Sequence, residues 1–441
     1  MIFTRPNTVS RPFSAVAMAL VIAASGAMGT IAFPEPAHAQ DEDEERKPEY
    51  SKEFIAAYQP VEAALKAEAP NPAAAKALIP PLVAASKNAD EKRATGGVLL
   101  NLGNETDDAA LRLQGIELML ESGILEPKLE GQLSFAAYQA YRDENNVAAA
   151  KTALERAIAV NHTFEATMTD GSQRNFGADD MRTMIADLYF DQGNFAEGLA
   201  YLSDQIEERR SAGGQIPENW IRKGLSTAYE NEINDVTPKY VAMLAENYPS
   251  DVVWGDAVIV TLNANSYQNP EVLDLLRLSR RTKAYNDARV LTEYVEILDP
   301  RRYPGEVVSV IDEGSALGVI DKADSFIAET RTEAAGRVET DRADLPSLAA
   351  DARASGANLK TLVVAGDTFL SYDKPAEAEE FYTKALGMSG VETPLVLTRL
   401  GIAQYDQGKY AEAVETFNKV EGARKDIANL WAIYAAQKAG V

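Results

Sequence analysis

The 441-residue sequence predicts an all-α protein, a solenoid of antiparallel helix pairs curved into a superhelix. Three observations carry that expectation. From about Ser51 onward, amphipathic segments rich in Ala, Leu and Glu follow one another, with apolar residues at helical rather than strand spacing. Short breaks of Gly, Asn, Asp or Pro separate them, which makes consecutive helices antiparallel neighbours. And DQGNFAEG at residues 191–198 returns as DQGKYAEA at 406–413, with five identical and two similar positions.

Composition narrows the function classes. With 46% hydrophobic and 25% charged residues the chain has enough apolar side chain to build packed interiors. Its formal charge of -24 repels phosphate, which argues against nucleic acid as a partner and favours basic ones. Cysteine is absent, so disulfides, thiolate metal sites and cysteine nucleophiles are excluded. Histidine occurs only as His38 and His162, which removes the usual means of building a zinc site or an acid–base pair.

Taken in order, residues 1–39 read as a signal peptide. Arg5 and Arg11 form a basic start, an uncharged small-residue stretch follows from Ala15 to Phe33, and Pro34 and Pro36 stop any helix. Ala37-His38-Ala39 is the A-x-A pattern read by a signal peptidase, so cleavage is expected after Ala39 in preference to an uncleaved anchor. No lipid-bearing cysteine exists, and no later stretch is apolar enough to span a membrane. The expected compartment is the periplasm of a Gram-negative bacterium, with secretion as the alternative. Residues 40–50 carry the charged run DEDEERKPEY and are expected to be disordered.

Residues 51–130 are expected to form N-terminal helical repeats, 131–345 divergent helical repeats, and 346–441 regular repeats with a capping helix. Within the middle segment, 161–180 (NHTFEATMTDGSQRNFGADD) breaks the helical pattern. Thr and Phe flank Asp170-Gly171, a turn signal, so the insertion is either a β-hairpin or a long loop.

The repeats themselves are clearest near the C-terminus. Leu397-x-x-Leu400-Gly401-x-x-Gln404-Tyr405 precedes the second octamer, and Ala413-x-x-x-Phe417 and Val420 follow its Gly408. The preceding unit reads Leu362-x-x-Ala365-Gly366-x-x-Phe369, then Ala378-x-x-x-Tyr382 and Ala385. This spacing resembles the tetratricopeptide repeat (TPR) family, whose 34-residue unit has the form W-x2-L-G-x2-Y…A-x3-F…P. Gly366 with Ala378, and Gly401 with Ala413, are then the closest crossings of paired helices, while Tyr382 and Phe417 are expected to fill space left for the neighbouring unit. Gly408 is expected to end its helix in a left-handed cap. Trp431-x-x-Tyr434-Ala435 looks like the first helix of a further repeat, capping the stack. The first octamer sits in a weaker copy with Ala186, Tyr189 and Leu202, and Arg182 stands at the Trp-like position. Residues 134–158 fit through Tyr141, Ala150, Leu154 and Ala157 if the turn at Asn145-Asn146 is one residue longer. Between 217 and 345 the match is loose. The resemblance implies a right-handed superhelix and a protein-binding role, with a concave groove that holds a peptide or protein segment.

Candidate chemistry is sparse. His162 stands without a G-x-S-x-G elbow. Ser371-Tyr372-Asp373-Lys374 matches the S-x-x-K motif of penicillin-interacting enzymes, but lacks the S-D-N and K-T-G companions and falls on a repeat turn. Glu121-Ser122 matches the Glu-Ser of lytic transglycosylases, without that family's other motifs. The strongest feature is electrostatic: Arg277, Arg280, Arg281, Lys283 and Arg289, followed by Arg301 and Arg302, form a basic stretch in an acidic chain. It reads either as a stripe that clamps a carboxylate-bearing peptide or another anionic partner, or as a solvated face paired with the acids of neighbouring helices. No cofactor or metal is expected. The function so implied is an exported scaffold or adaptor of the cell envelope, with a peptidoglycan-cleaving enzyme as the alternative.

Overall fold

Short polar side chains set eight of the helix starts. In the computed structural model, which describes residues 47–67, 70–168, 170–284 and 288–440, Ser51, Asn71, Asn88, Asp108 and Asn146 each accept a hydrogen bond from a backbone N–H three residues on, as do Ser250, Asp324 and Asn358. These bonds satisfy first-turn donors that no helix can satisfy internally. The signal segment 1–39 and residues 40–46 lie outside the described residues. The chain divides into two compact units, Met1–Gln205 and Ile206–Val441.

In the first unit, α1 (Lys52–Lys66), α2 (Pro72–Ala77) and α3 (Ile79–Ala85) lead into the paired helices α4 (Ala89–Glu105) and α5 (Ala109–Ser122), then α6 (Pro127–Asp143) and α7 (Val147–Ala159). The strands β1 (Phe164–Thr167) and β2 (Gln173–Phe176) follow, then α8 (Ala178–Phe190) and α9 (Phe195–Ser211), inside which the unit boundary falls. The chain is anchored from Glu49, earlier than the charged run suggests: the Glu49 N–H donates to Asp90 at 2.9 Å and Tyr50 stacks on Phe54. The 161–180 insertion is a hairpin. Its strands pair antiparallel from Phe164 opposite Phe176 to Thr167 opposite Gln173. Phe164 packs on Phe176 and on Phe135 of α6, which gives two short strands the apolar anchor that an isolated hairpin lacks.

The second unit contains α10 (Glu218–Glu230), α11 (Thr237–Asn247), α12 (Asp251–Ala264), α13 (Asn269–Thr282), α14 (Ala288–Ile297) and α15 (Pro304–Ala316). The 29-residue α16 (Ser325–Arg353) then leads to α17 (Leu359–Ser371), α18 (Pro375–Leu386), α19 (Thr393–Asp406), α20 (Tyr410–Phe417), a 3-10 turn at Gly422–Arg424 and α21 (Lys425–Ala439). The fold is thus all-α, built of TPR-like antiparallel helix pairs, with twenty-one α-helices among the described residues.

Glycine makes the close crossings, and the aromatic partner sits sixteen positions on. A Cβ at Gly366 would lie 2.5 Å from the Tyr382 ring, and one at Gly401 would lie 2.5 Å from the Phe417 ring. Tyr382 and Phe417 therefore fill the notch inside their own helix pair, a correction to the expectation that they reach the neighbouring unit. The same device recurs at Gly224, where a Cβ would lie 2.1 Å from Tyr240. This places a regular pair, α10 and α11, in the stretch whose sequence match is loose. The turns share a left-handed residue: Gly193 and Gly408 in the two octamers, and Asn145, Glu232 and Asp373 in the equivalent turns. Glycine adopts that conformation without steric cost, Asn and Asp tolerate it, and Glu232 adopts it at a cost of about 1–2 kcal/mol.

The C-terminal repeats do not stand open. The layer formed by α17, α19 and α21 packs against α11, α12, α13 and α15. Trp431 donates from Nε1 to the Asp274 carbonyl at 2.9 Å, Tyr434 from its hydroxyl to the Arg281 carbonyl at 2.6 Å, and Gln437 to the Ala245 carbonyl at 2.8 Å. The last helix, α21, closes the stack on α20, and its other side is buried against earlier helices of the same unit. Leu430, Trp431 and Ala435 are 1% exposed or less because both flanks are covered.

Candidate functional site

The predicted basic stretch begins on α13, NPEVLDLLRLSRRT. Pro270 suits its first turn, and Lys283 ends it in the left-handed conformation at φ 58°. Every residue from Val272 to Ser279 is buried. A helix covered on all sides belongs to an interior, and any charge on it must be paired there.

Asp274 is the centre of that pairing. Its carboxylate accepts from Arg277 Nη1 at 3.0 Å, from Arg399 Nε at 3.3 Å and from Arg424 Nη1 at 2.6 Å. Arg277 turns its remaining edge to Glu306, with Nε and Nη2 donating to the two carboxylate oxygens at 2.9 and 2.7 Å. Tyr294 donates to Glu306 at 2.8 Å. Arg399 Nη1 donates to Asp367 at 2.7 Å, and Asp367 also accepts from Tyr382 and from Arg302. Three buried guanidiniums, Arg277, Arg399 and Arg424, so face three buried carboxylates, Asp274, Glu306 and Asp367. Burial alone raises the Glu306 carboxyl, but the Arg277 guanidinium with hydrogen bonds from Arg277 and Tyr294 outweighs it and holds the group at about 2. Burial likewise raises Asp367, and the neighbouring Arg399 brings it below the ordinary carboxylate range.

One turn along α13 the charges meet solvent. Arg280 and Arg281 of α13, Glu313 of α15, Asp373 and Pro375 of the α17–α18 turn and Asp406 at the end of α19 line a cleft of about 400 Å³. Arg281 makes a two-pronged pair with Asp406, at 3.0 and 2.6 Å. Arg280 donates to Glu313 at 2.8 Å and to the Ser309 hydroxyl at 2.6 Å. Burial would lower the Arg281 guanidinium, and the Asp406 carboxylate overrides it and raises it.

The structure separates the residues that the sequence grouped. Arg277 is 1% exposed and belongs to the interior, because its guanidinium is enclosed between Asp274 and Glu306; it does not stand on a groove surface. Arg280 and Arg281 line the cleft. Lys283 caps α13 on the exposed side, and Arg289 is exposed on α14. Arg301 pairs with Glu333, and Arg302 with Asp367. The sequence reading missed Asp274, Glu306, Asp367, Arg399 and Arg424. The only local sign was a charge at an interior position of an apolar helix face, as at Arg399 between Leu397 and Leu400.

The other candidates have structural placements. His162 packs near the Phe135 and Phe164 rings over Gly131, and burial lowers its pKa. The Ser371 hydroxyl donates to the Thr368 carbonyl at 2.8 Å inside α17, while Lys374 lies in the turn before α18. Glu121 is on the surface at the end of α5, paired with Lys92 at 2.9 Å, and Ser122 donates to the Met119 carbonyl. Among the described residues no helix is long and apolar enough to cross a membrane.

No protein-family model matches the chain, and no curated protein matches it. Similar solved structures include the TPR domain of P58(IPK), at 10% identity over 88% of this chain and 98% of that one, with a TM-score of 0.21. The pentatricopeptide repeat protein PPR10 from maize is similar at 14% identity over 85% of this chain and 57% of that one, with a TM-score of 0.25. The Cut9–Hcn1 hetero-tetramer of APC/C is similar at 11% identity over 81% and 74%, with a TM-score of 0.21. Superpositions this loose carry no argument about function.

Proposed function

We propose that this chain is an exported interaction scaffold of the bacterial cell envelope, which holds a charged peptide or protein segment at the Arg280–Arg281 cleft. The observation that supports this reading most is the convergence of charged side chains from α13, α15, the α17–α18 turn and α19 on one open cleft of about 400 Å³. One turn back along α13, a buried set of hydrogen-bonded arginine–carboxylate pairs fixes the helix that carries Arg280 and Arg281, which keeps these lining groups in place before a ligand arrives. A partner carboxylate competes with Asp406 for the planar fork of Arg281, the geometry in which guanidinium recognition is strongest. The signal-like residues 1–39 support export, and periplasmic residence follows from that reading. The glycan-cleaving alternative gains nothing from Glu121, whose carboxylate is held by Lys92 on the surface.

The test is cross-linking in living cells. A photo-reactive residue is placed at Asp373 in the tagged full-length protein, with a second at Glu165 on the hairpin as a control site. The reading predicts one reproducible protein partner from position 373. Recovery of the protein alone, or with glycan fragments only, would overturn it and direct attention to activity on isolated cell wall.

A further inference from the structure

The second unit is made of two halves, α10–α15 and α17–α21, whose covalent link is α16. That helix packs on α15 before it and on α17 after it: Arg331 pairs with Asp312 of α15, and Asp341 accepts from the Tyr372 hydroxyl at the end of α17. Its middle is different. Beyond the buried Ala334, the residues Ala335, Gly336, Arg337, Glu339 and Thr340 are all exposed, and a Cβ added at Gly336 would meet nothing within 4 Å. Pro346 lies inside the same helix and removes one of its hydrogen-bond donors. The link is thus a single helix with little tertiary support at its centre, and it contains a residue that favours bending.

The surface that the two halves share is of another kind. It is chemically specific and self-complementary within one chain. Asp274 of α13 meets Arg399 and Arg424, Arg281 meets Asp406, and Arg302 meets Asp367. Trp254 packs edge-on against Tyr434 with ring centroids 5.2 Å apart, and Gly305 makes room for the Tyr372 ring. None of these contacts depends on the two halves belonging to the same chain.

We propose that the α17–α19–α21 face is a binding surface for α13 of a second copy, so that two chains exchange halves about α16 and form a dimer. Each copy then supplies α10–α15 to the other, every ion pair is remade in trans, and only the exposed middle of α16 changes course. Exchange of an identical element brings no new interface to be stabilised, which makes it a low-cost route to a closed twofold dimer. The balance between closed monomer and exchanged dimer is set by protein concentration and by the effective concentration that α16 imposes on its two ends.

Charge reversal separates the two forms. In Arg281→Glu the cis pair becomes two carboxylates, and in Asp406→Arg it becomes two guanidiniums. When the two full-length variants are mixed, exchange pairs Glu at 281 of one chain with Arg at 406 of the other, and Arg281 of the second with Asp406 of the first. The expected result, by sedimentation with differently tagged chains, is a mixed-tag dimer at least about tenfold more abundant than the dimer of either variant alone. Monomers in the mixture, from variants whose far-UV circular dichroism matches the unaltered chain, would overturn the proposal. If either variant fails to fold, two tagged unaltered chains are unfolded together in urea and refolded at high concentration. Mixed-tag dimers are then expected, and their absence also overturns the proposal. Capture of some other protein by the α17–α19–α21 face in place of α13 of a second copy counts against it as well.

Discussion

Replacing Asp274 with Asn removes one charge and almost no volume from the centre of the second unit. Arg277 keeps its two-pronged pair with Glu306, and Arg399 keeps Asp367. Arg424 loses its short hydrogen bond and retains only Glu271 at 3.4 Å, while 2% of its surface is exposed. The substitution therefore leaves a buried guanidinium with only that long pair to compensate it. Breaking a buried pair from one side costs about 3–5 kcal/mol, most of it the cost of the stranded charge. For a unit of this size that corresponds to a fall of about 6–20 °C in Tm. Urea unfolding followed by circular dichroism checks the energy, and a thermal scan checks the shift. Adding Arg424→Met to Asp274→Asn removes the stranded charge and is expected to recover at least about 1 kcal/mol. A loss below about 1 kcal/mol in Asp274→Asn, or no recovery in the double variant, would refute the view that this network is interior and mutually dependent.

The remaining predictions concern separate parts of the chain. Gly401→Ala places a methyl group 2.5 Å from the Phe417 ring and is expected to destabilise by about 1–3 kcal/mol, whereas the same change at Gly97, where nothing lies within 4 Å, is expected to be neutral or stabilising in denaturant unfolding. Because the Glu306 pKa is depressed from its ordinary 4.5 to about 2, its contribution to stability is complete above pH 4.5 and is lost as pH falls toward 2; an acid titration by tryptophan fluorescence should show the second unit holding through mild acid and opening in that window. Glu121→Gln removes only a surface pair with Lys92 and is expected to change stability by less than about 1 kcal/mol and to leave partner recovery in cells unaltered.

The helix pairs were legible in the sequence because their determinants are local. Caps such as Asn146 and Asn358, the left-handed turn at Gly408 and the small residues at Gly366 and Gly401 all act within one repeat. Repeats were harder to read where chemistry substitutes for identity. Glu232 does the work of glycine in the turn between α10 and α11, so the Gly224–Tyr240 pair stood without its usual signal. The site was legible only in part. Arg280 and Arg281 line the cleft as a basic stretch would, but Arg277, one turn earlier, faces the interior. Its guanidinium is enclosed by Asp274 and Glu306, and α13 itself is covered by Arg399, Arg424, Trp431 and Tyr434, more than a hundred positions away, whose arrival no periodicity within α13 encodes. For the same reason the concave groove implied by the repeat resemblance does not stand open at the C-terminal repeats, where α13 packs on α19 and α21.

Hydrogen–deuterium exchange of the intact chain tests that placement of α13 most directly. If α13 is the buried centre of the second unit, the amides of Leu273–Ser279 exchange as slowly as those of α19 and far more slowly than the exposed middle of α16. Exchange of Leu273–Ser279 at the rate of that exposed segment would show α13 to be a surface helix and would contradict the account.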